Sequence, residues 1–398
     1  MVALVKNRFV LWIGFLVPFL WGGCTQKTPI SGTLTVASNT PSELTVYLLS
    51  PNGFSNIASP FLGTIIDSSE VDANGNFAFR KVPETSESVL LEIALQKPGN
   101  RENFLSNETP LVSNYMPVVW QPGESLEITA SADHFQQSFS LQNPSDANAE
   151  LLKLRDIKLD AFQQYLENKE WNVEEGSQLL EKEQALFNYQ KMLMEFASQT
   201  KQLFPALVAV RWVSPQQDYE RTAEFLYAQC EQWKEVQPNH PWVQQLCKKA
   251  DTSVLPVLVN STFPNTSLPM VSGETTDLYP QLGSALTLID LWASWCVPCR
   301  KENREVLVPL WETYHGEGFQ IVAYGLESSE ASWKAAIEKD GAHRWLHASH
   351  LQGDDAPFMK TLRIQTIPAN FLLDANGKVL AKNLHGEELT RWVRDYME

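Results

Sequence analysis

The sequence predicts a multidomain chain with an all-β, sandwich-like amino-terminal region, an α-helical middle and a carboxy-terminal α/β region. Three observations predict this division. Short alternating segments separated by Gly, Pro, Asn and Asp occur in residues 24–140, which is typical of β-strands and turns. Apolar residues recur at a spacing near 3.6 in residues 145–252, which is typical of helices. In residues 260–398, predicted strands alternate with predicted helices, which indicates a mixed sheet covered by helices.

The composition is that of an ordinary globular protein, with 43% hydrophobic and 20% charged residues among 398. The 31 Lys and Arg residues against 47 Asp and Glu residues give a net charge of −16, and no basic cluster interrupts it. We therefore expect no nucleic-acid partner. Five cysteines are too few for a disulfide-dense scaffold, so each is interpreted from its own neighbourhood.

Residues 1–23 have the features of a signal peptide. Two basic residues precede an apolar run, Phe9–Leu20, which is shorter than the roughly 20 apolar residues of a membrane-spanning helix. The following Trp21-Gly22-Gly23-Cys24 resembles the lipobox of bacterial lipoproteins, with Trp21 where that family usually has Leu. The resemblance implies cleavage before Cys24 and a lipid anchor on it. An ordinary secretory signal is the alternative, and in both cases disulfides would persist in the exported chain.

The amino-terminal region carries strand and turn patterns without a catalytic constellation. We expect an antiparallel sheet or sandwich, with a hairpin at the Asn-Gly turn of residues 72–76. The segments Ile30–Leu34, Ile66–Ser68, Val71–Phe79 and Pro122–Ile128 resemble a β-rich domain of unknown role in bacterial envelope lipoproteins. That resemblance implies architecture and no activity.

The middle region contains two apolar stripes that predict core-facing helices: Leu154, Ile157, Ala161 and Tyr165, and Leu186, Tyr189, Leu193 and Phe196. Cys230 and Cys247 fall on two successive predicted helices joined by a Pro-containing turn. We hypothesise a structural disulfide Cys230–Cys247 that joins this helical hairpin. Two buried free thiols are the alternative.

The residues that carry chemistry follow a buried strand in the carboxy-terminal region. Leu286–Trp292 is a near-continuous apolar strand, and Cys296-Val297-Pro298-Cys299 then opens a helix. This spacing brings both sulfurs onto the first helical turn, where Pro298 fits because it needs no amide proton there. Free amide groups and the helix dipole should stabilise a thiolate at Cys296 and lower its pKa from ~8.5 towards 7 or below. Cys296 is then the attacking sulfur, and Cys299 resolves the mixed disulfide.

Other uses of this motif fit the sequence less well. A structural zinc site needs four ligands, and Cys230 and Cys247 are too widely spaced to supply a second knuckle. Covalent haem needs His after the second cysteine, and residue 300 is Arg. We therefore expect a redox-active disulfide, Cys296–Cys299, with neither metal nor cofactor.

The region from Phe263 to Glu398 resembles the thioredoxin-like thiol-disulfide oxidoreductases of the TlpA/ResA type. The resemblance is carried by Trp292–Glu302, Gly318–Tyr324, Trp333–Ile337 and Ile367–Val379. The last segment includes a predicted hairpin across the Asn-Gly turn of residues 374–377. The resemblance implies a thioredoxin fold, periplasmic exposure and thiol-disulfide exchange.

Further site residues come from this resemblance by position. Pro368, after Ile367, matches the family's cis-proline, whose neighbouring backbone binds an extended substrate strand. An ordinary trans-proline at a strand start is the alternative. We expect Trp295, Val297 and Pro298 to contact the substrate as well. Asp290 matches a buried carboxylate that takes the proton of the second cysteine, with a solvated strand-end aspartate as the alternative.

The remaining position, Glu302, matches a glutamate that tunes the thiols, with a plain helix-surface carboxylate as the alternative. Asn303 and Arg304 stand where relatives commonly have Pro, so a helix kink is expected nearer Pro309. His343, His347 and His350 are expected on a loop surface.

The function predicted from these observations is a periplasmic thiol-disulfide oxidoreductase acting on protein substrates. Reduction is the preferred direction, and oxidation and isomerisation are the alternatives. Its predicted partners are protein dithiols or disulfides and a membrane-side electron donor or acceptor. The alternative is an envelope lipoprotein that binds proteins and uses the carboxy-terminal region only for docking. The reactivity of the cysteine pair separates these hypotheses.

Overall fold

The computed structural model describes residues 1, 28–37, 43–172 and 176–398. Cys24 and nearly all of the predicted signal peptide lie outside the described residues. Within these ranges, none of the helices combines the length and the apolar character that crossing a membrane requires.

The predicted β-rich region is present as two four-stranded sheets in the described part of the chain, ordered β4-β1-β7-β8 and β3-β2-β5-β6. Alternation of buried and exposed residues along β1 and β7 shows that each has one core-facing side. One pairing departs from the antiparallel expectation, because β1 and β7 are parallel. The elements are β1 (Ile30–Thr35), β2 (Thr45–Ser50), β3 (Thr64–Glu70), β4 (Asn76–Phe79), β5 (Val89–Gln96), β6 (Tyr115–Trp120), β7 (Leu126–Ser131), α1 (Phe135–Ser138) and β8 (Ser140–Leu141).

The predicted helical region follows as α2 (Asp146–Tyr165), α3 (Gly176–Gln199), α4 (Leu203–Val213), α5 (Ala223–Val236) and α6 (Pro241–Lys249). Its buried apolar residues and those of the two sheets form one continuous hydrophobic core. The stripe on α3 is buried at Tyr189, Leu193 and Phe196, but Leu186 is exposed. The core prediction is therefore wrong for Leu186, which lines a cavity of about 840 Å³.

The carboxy-terminal region is a five-stranded mixed sheet of order β13-β12-β11-β14-β15 with helices packed on it, as the mixed α/β pattern predicts. The central strand β11 is buried along its whole length, pairs in parallel with β12 and pairs antiparallel with β14. The elements are β9 (Ser267–Pro269), β10 (Thr275–Asp277), β11 (Leu286–Trp292), α7 (Val297–Glu302), α8 (Val308–Tyr314), β12 (Phe319–Gly325), α9 (Glu330–Lys339), β13 (Leu346–Ala348), α10 (Pro357–Leu362), β14 (Ala369–Asp374), β15 (Val379–Lys382) and α11 (Gly386–Met397).

A π-helical turn, Asn303–Leu307, joins α7 to α8. It ends two residues before Pro309. In a regular α-helix the ring of a proline clashes with the carbonyl group of the preceding turn. The irregularity therefore precedes this proline, close to where the sequence predicts a kink.

The sequence Asp-Ala-Asn-Gly occurs twice, at residues 72–75 and 374–377. In both copies the aspartate side chain accepts hydrogen bonds from two later backbone N–H groups, and Gly75 and Gly377 have φ of 84° and 79°. The second turn joins β14 to β15 in the predicted hairpin. The first leads from β3 to β4, which belong to different sheets, so the hairpin predicted there is wrong and only the turn is present.

Candidate active site

The Cys296–Cys299 pair lies where β11 passes into α7. Cys296 is the residue that caps α7, and its Sγ accepts a hydrogen bond from the backbone N–H of Cys299 at 3.3 Å. Pro298 occupies the first turn of the helix, where a missing N–H costs nothing. The two sulfurs are within bonding distance of each other. The Cys299 N–H at the helix start therefore points towards the sulfur of Cys296.

The cysteine pair is nearly covered, whereas its neighbours are exposed. Cys296 is 5% exposed and Cys299 is 2% exposed, against 62% for Trp295 and 56% for Val297. The sulfur of Cys296 is turned towards Cys299 in the disulfide, and α3 of the helical region packs against α7. Both cysteines are therefore covered in the disulfide form. The exposed apolar side chains of Trp295 and Val297, on both sides of Cys296, form an apolar surface patch next to the disulfide.

The Ile367–Pro368 peptide bond is cis. Pro368 directly precedes β14, in which Ala369 lies opposite Leu291 of β11. The proline therefore lies at the same edge of the sheet as the loop that leads to Cys296. Ile367 is half-buried, and neither its N–H nor its C=O has a hydrogen-bond partner among the described residues. Both groups remain free to pair with an incoming chain.

Asp290 lies in β11, six residues before Cys296, and is buried. Burial raises the pKa of its carboxyl group well above the usual range, and the nearby Glu302 carboxylate raises it further. A carboxyl group in this environment can hold a proton under conditions in which an exposed aspartate is ionised. It has the chemistry of a general acid or base.

Glu302, at the end of α7, is also buried, so its interpretation as a plain helix-surface carboxylate is wrong. Its carboxylate accepts a hydrogen bond from the Gly386 N–H at 3.1 Å and lies 3.0 Å from Nδ1 of His385. Because Gly386 begins α11, Glu302 links the active-site helix to the last helix.

Glu327 is a site residue that the sequence analysis missed. Its buried carboxylate accepts hydrogen bonds from the backbone N–H and the hydroxyl of Ser294, two residues before Cys296. Burial raises its pKa. Arg300 holds the same loop from α7, because it donates to the Ser294 carbonyl at 3.0 Å and pairs with Asp340. An acidic residue just beyond the end of β12 was the signal that could have found Glu327, since carboxyl ends of neighbouring parallel strands share an edge.

The three histidines do not share a loop surface. His347 lies in β13 and is buried, with its Nε2 2.8 Å from the Ala342 carbonyl oxygen. Burial lowers its pKa to about 4. His350 lies 2.7 Å from the Tyr324 hydroxyl, and only His343 is largely exposed. The prediction is wrong for His347 because a short edge strand was interpreted as a loop.

The second cysteine pair is remote from this site in sequence. Cys230 in α5 and Cys247 in α6 have their sulfurs within bonding distance. Within the described ranges, no three His, Cys, Asp or Glu side chains converge as a metal site.

A Cys-x-x-Cys pair at the start of a helix, with a cis-proline at the same edge of a mixed five-stranded sheet, defines the thioredoxin-like class of thiol-disulfide oxidoreductase domains. Residues 258–396 match the family model Redoxin. This part of the chain is therefore a Redoxin domain, and its homologues are thiol-disulfide oxidoreductases.

Three relatives illustrate the match. The thiol:disulfide interchange protein DsbE of Pseudomonas fluorescens is 26% identical over 131 residues, which is 31% of this chain and 66% of that protein. The thiol-disulfide oxidoreductase ResA of Bacillus thuringiensis is 24% identical over 140 residues, 35% of this chain and 77% of that protein. A solved thiol-disulfide oxidoreductase from Bacteroides fragilis has 31% identity and a TM-score of 0.32, and the match covers 34% of this chain and 98% of the other.

Proposed function

We propose that this protein is a periplasmic thiol-disulfide oxidoreductase that reduces disulfides of protein substrates through Cys296-Val297-Pro298-Cys299. The observation that carries the proposal is the position of this pair. Cys296 caps a helix and accepts the Cys299 N–H, and a carboxyl group with a raised pKa lies six residues earlier on the adjoining strand. These surroundings favour an ionised sulfur and supply a base.

In the first step, the thiolate of Cys296 attacks one sulfur of the substrate disulfide. A bond forms between the two sulfurs, and the other substrate sulfur leaves as a thiolate that takes up a proton. The amide groups at the start of α7 stabilise the attacking thiolate, since a negative charge is favoured at a helix amino terminus.

In the second step, Asp290 takes the proton of the Cys299 thiol, and the Cys299 thiolate attacks Sγ of Cys296. The bond between Cys296 and the substrate breaks, and the second substrate sulfur leaves with a proton from Asp290. Two electrons pass to the substrate, whose disulfide becomes two thiols, and Cys296–Cys299 becomes a disulfide.

Substrate binding would use the groups around the pair. The free N–H and C=O of Ile367 suit main-chain hydrogen bonds to an extended segment beside Pro368. Trp295 and Val297 expose apolar surface on both sides of Cys296, and Pro298 keeps the first turn of the helix in place. Glu302 would act indirectly, through the pKa of Asp290.

The envelope location is part of the proposal. A disulfide such as Cys230–Cys247, far from the reactive pair in sequence, persists in an oxidising compartment and is rare in the cytosol. Removal of residues 1–23 would leave Cys24 as a lipidated amino terminus on a membrane. A dithiol donor at the membrane side would then return Cys296–Cys299 to the reduced form.

The proposal is tested with the full chain and insulin as the disulfide substrate. The wild type should reduce insulin with dithiothreitol as the electron donor, and Cys299→Ser should accumulate insulin joined to Cys296 as a mixed disulfide. Cys296→Ser is the matched control, in which no such adduct should form. A wild-type protein that does not accelerate insulin reduction, and a Cys299→Ser variant without adducts, would instead support the docking hypothesis.

Direction is tested separately by alkylation in cells. A mostly reduced Cys296 and Cys299 pair agrees with a reductase, and a mostly oxidised pair contradicts that part of the proposal.

A further inference from the structure

The helical region contacts the Redoxin domain at both parts of the candidate active site. Helix α3 packs against α7, the helix that Cys296 caps. Two neighbouring residues that precede α5, Glu220 and Arg221, bond to the loop that contains the cis-proline. The cysteine pair and this loop come from different segments of the Redoxin domain, so their relative position decides how a bound chain is presented to Cys296.

The bonds from Glu220 and Arg221 hold the cis-proline loop at two points. The Glu220 carboxylate accepts hydrogen bonds from the backbone N–H groups of Gln365, at 2.8 Å, and Thr366, at 3.3 Å, and from the Thr366 hydroxyl. The Arg221 guanidinium donates to the Pro368 carbonyl at 2.8 Å. The helical region therefore bonds to the loop both before and at the cis-proline.

Ile367 lies between these two points, and its own N–H and C=O are without a partner in the part of the chain that the structure describes. Gln365 and Thr366 are exposed and precede β14, so strand pairing does not fix this part of the loop. The bonds to the helical region limit the rotation of the peptide groups next to Ile367. A binding group that is already oriented binds better, because less conformational entropy is lost on binding.

The segment that carries Glu220 and Arg221 is itself fixed. The Glu220 N–H donates to Asp218 Oδ1 at 3.0 Å, and the Asp218 carbonyl accepts the Ser214 hydroxyl at 2.7 Å. The Arg221 guanidinium also pairs with the Glu183 carboxylate of α3, at 3.6 Å. A bonding group on a fixed support holds its partner in one orientation. Arg221 thus joins α3, which packs against the helix of the cysteine pair, to the cis-proline loop.

We propose that Arg221 and Glu220 are positioning residues for the exchange reaction, which orient the Ile367 peptide groups towards a polypeptide substrate. Their bonds to the Redoxin domain go to the cis-proline loop, so they act through the backbone that binds substrate. This inference rests on the proposed function, and it gives the helical region a part in recognising the substrate backbone. A disulfide without a polypeptide backbone should not depend on these two residues.

The test uses the reduced full chain and two disulfides with the same leaving group. In the first, the single Cys of a short unstructured peptide is joined to thionitrobenzoate. In the second, 2-mercaptoethanol is joined to thionitrobenzoate. Attack by the Cys296 thiolate on the other sulfur releases thionitrobenzoate in both cases, and stopped-flow absorbance follows its release. Only the peptide can form main-chain hydrogen bonds with Ile367.

Arg221→Met keeps an unbranched side chain and removes the donor to the Pro368 carbonyl. It should lower kcat/KM for the peptide disulfide by about tenfold, mainly through a higher KM, because the pairing groups lose their fixed orientation. The rate with the small disulfide should stay near that of the wild type. Arg221→Lys, which can still donate to the carbonyl, should recover part of the loss. Glu220→Ala removes the bonds at the other point of the loop and should act in the same direction.

Glu224→Gln is the matched control. Glu224 lies three residues after Arg221, in α5, and its carboxylate pairs with Lys382 at 2.7 Å and accepts the Val259 N–H at 3.1 Å. These bonds join the same segment of the helical region to residues outside the cis-proline loop. Glu224→Gln should therefore leave kcat/KM for both disulfides near the wild-type values.

The two disulfides separate a positioning role from a general effect on the fold. Equal losses with both disulfides in Arg221→Met and Glu220→Ala would overturn the inference. An unchanged KM for the peptide in these variants, or an equal loss in Glu224→Gln, would overturn it as well. A wild-type protein that reacts with neither disulfide faster than free glutathione does would instead overturn the proposed function.

Discussion

The two disulfides of the described chain join the same atoms in different surroundings. Cys230–Cys247 links two helices across 17 positions, and Cys296–Cys299 closes a single helical turn across three. The second lies at a helix start, close to a cis-proline and a buried carboxyl group with a raised pKa. The first has none of these neighbours on α5 or α6. The comparison teaches that the reactivity expected of a disulfide comes from the backbone and charges around it.

The largest expected effect is the loss of insulin reduction when the cysteines of the two disulfides are replaced in turn. Cys296→Ser should reduce insulin reduction to the rate without protein, because the attacking sulfur is gone. The double variant Cys230→Ser, Cys247→Ser should keep the wild-type rate at a temperature where it is folded. Equal losses in the two variants would show that the assignment of one reactive and one structural disulfide is wrong.

The next effect tests the carboxyl group that distinguishes the two sites. Asp290→Asn should slow the resolution of the mixed disulfide by at least about tenfold near neutral pH, because a positioned base typically contributes 10²–10⁴-fold. Burial raises the pKa of Asp290, so the wild-type rate should rise as pH rises through that pKa and Asp290 loses its proton. Stopped-flow measurement of adduct decay against pH checks this. A variant with the wild-type rate and pH profile would exclude Asp290 as the base.

A smaller effect is on the stability of the fold, and it comes mainly from Cys230–Cys247. Loss of Cys230–Cys247 should lower the free energy of unfolding by about 3 kcal/mol, since a loop of this size restricts the unfolded chain by roughly that amount. Cys296–Cys299 closes a shorter loop, so its loss should lower the free energy of unfolding by less. Urea unfolding of the two double variants checks the order, and a reversed order would contradict it.

The smallest effect lies in another buried carboxyl group, Glu92, which is in β5 and so outside the helices that carry the two disulfides. Burial raises the pKa of Glu92 to about 8, so the folded state keeps a proton that the unfolded state loses above about 4.5. Stability should therefore fall as pH rises from 5 to 7, by up to about 1.4 kcal/mol per pH unit for this group. Glu92→Gln should remove that part of the slope and leave insulin reduction unchanged. Burial lowers the pKa of Lys158 to about 7. Above that pH the deprotonation of Lys158 makes stability rise with pH, so the effect of Glu92 is measured only up to pH 7.

The sequence predicted those parts of the molecule that depend on neighbours along the chain. The apolar run of β11, the Cys-x-x-Cys spacing and the alternation of strands and helices are local patterns, and they led to the mixed sheet and to the position of the cysteine pair. The burial of Asp290 was implied by the resemblance to thioredoxin-like proteins, which have a buried carboxylate at this position, and a local pattern alone left a solvated strand-end aspartate as the alternative.

The parts that were missed depend on partners far apart in sequence. Glu327 and Ser294 are 33 positions apart, and Glu220 meets Thr366 across 146 positions. No periodicity marks such pairs in a chain with many acidic residues. The two Asp-Ala-Asn-Gly turns show the same limit, because identical local hydrogen bonds serve a hairpin in one place and a passage between sheets in the other.

The most direct test of the central claim is the reactivity of Cys296 in the reduced full-length protein as a function of pH, measured by iodoacetamide alkylation and peptide mass spectrometry. The account predicts that Cys296 reacts before Cys299, with a midpoint below the ~8.5 of an ordinary thiol. A midpoint at or above that value, or earlier alkylation of Cys299, would contradict the claim that the start of α7 holds Cys296 as the attacking thiolate.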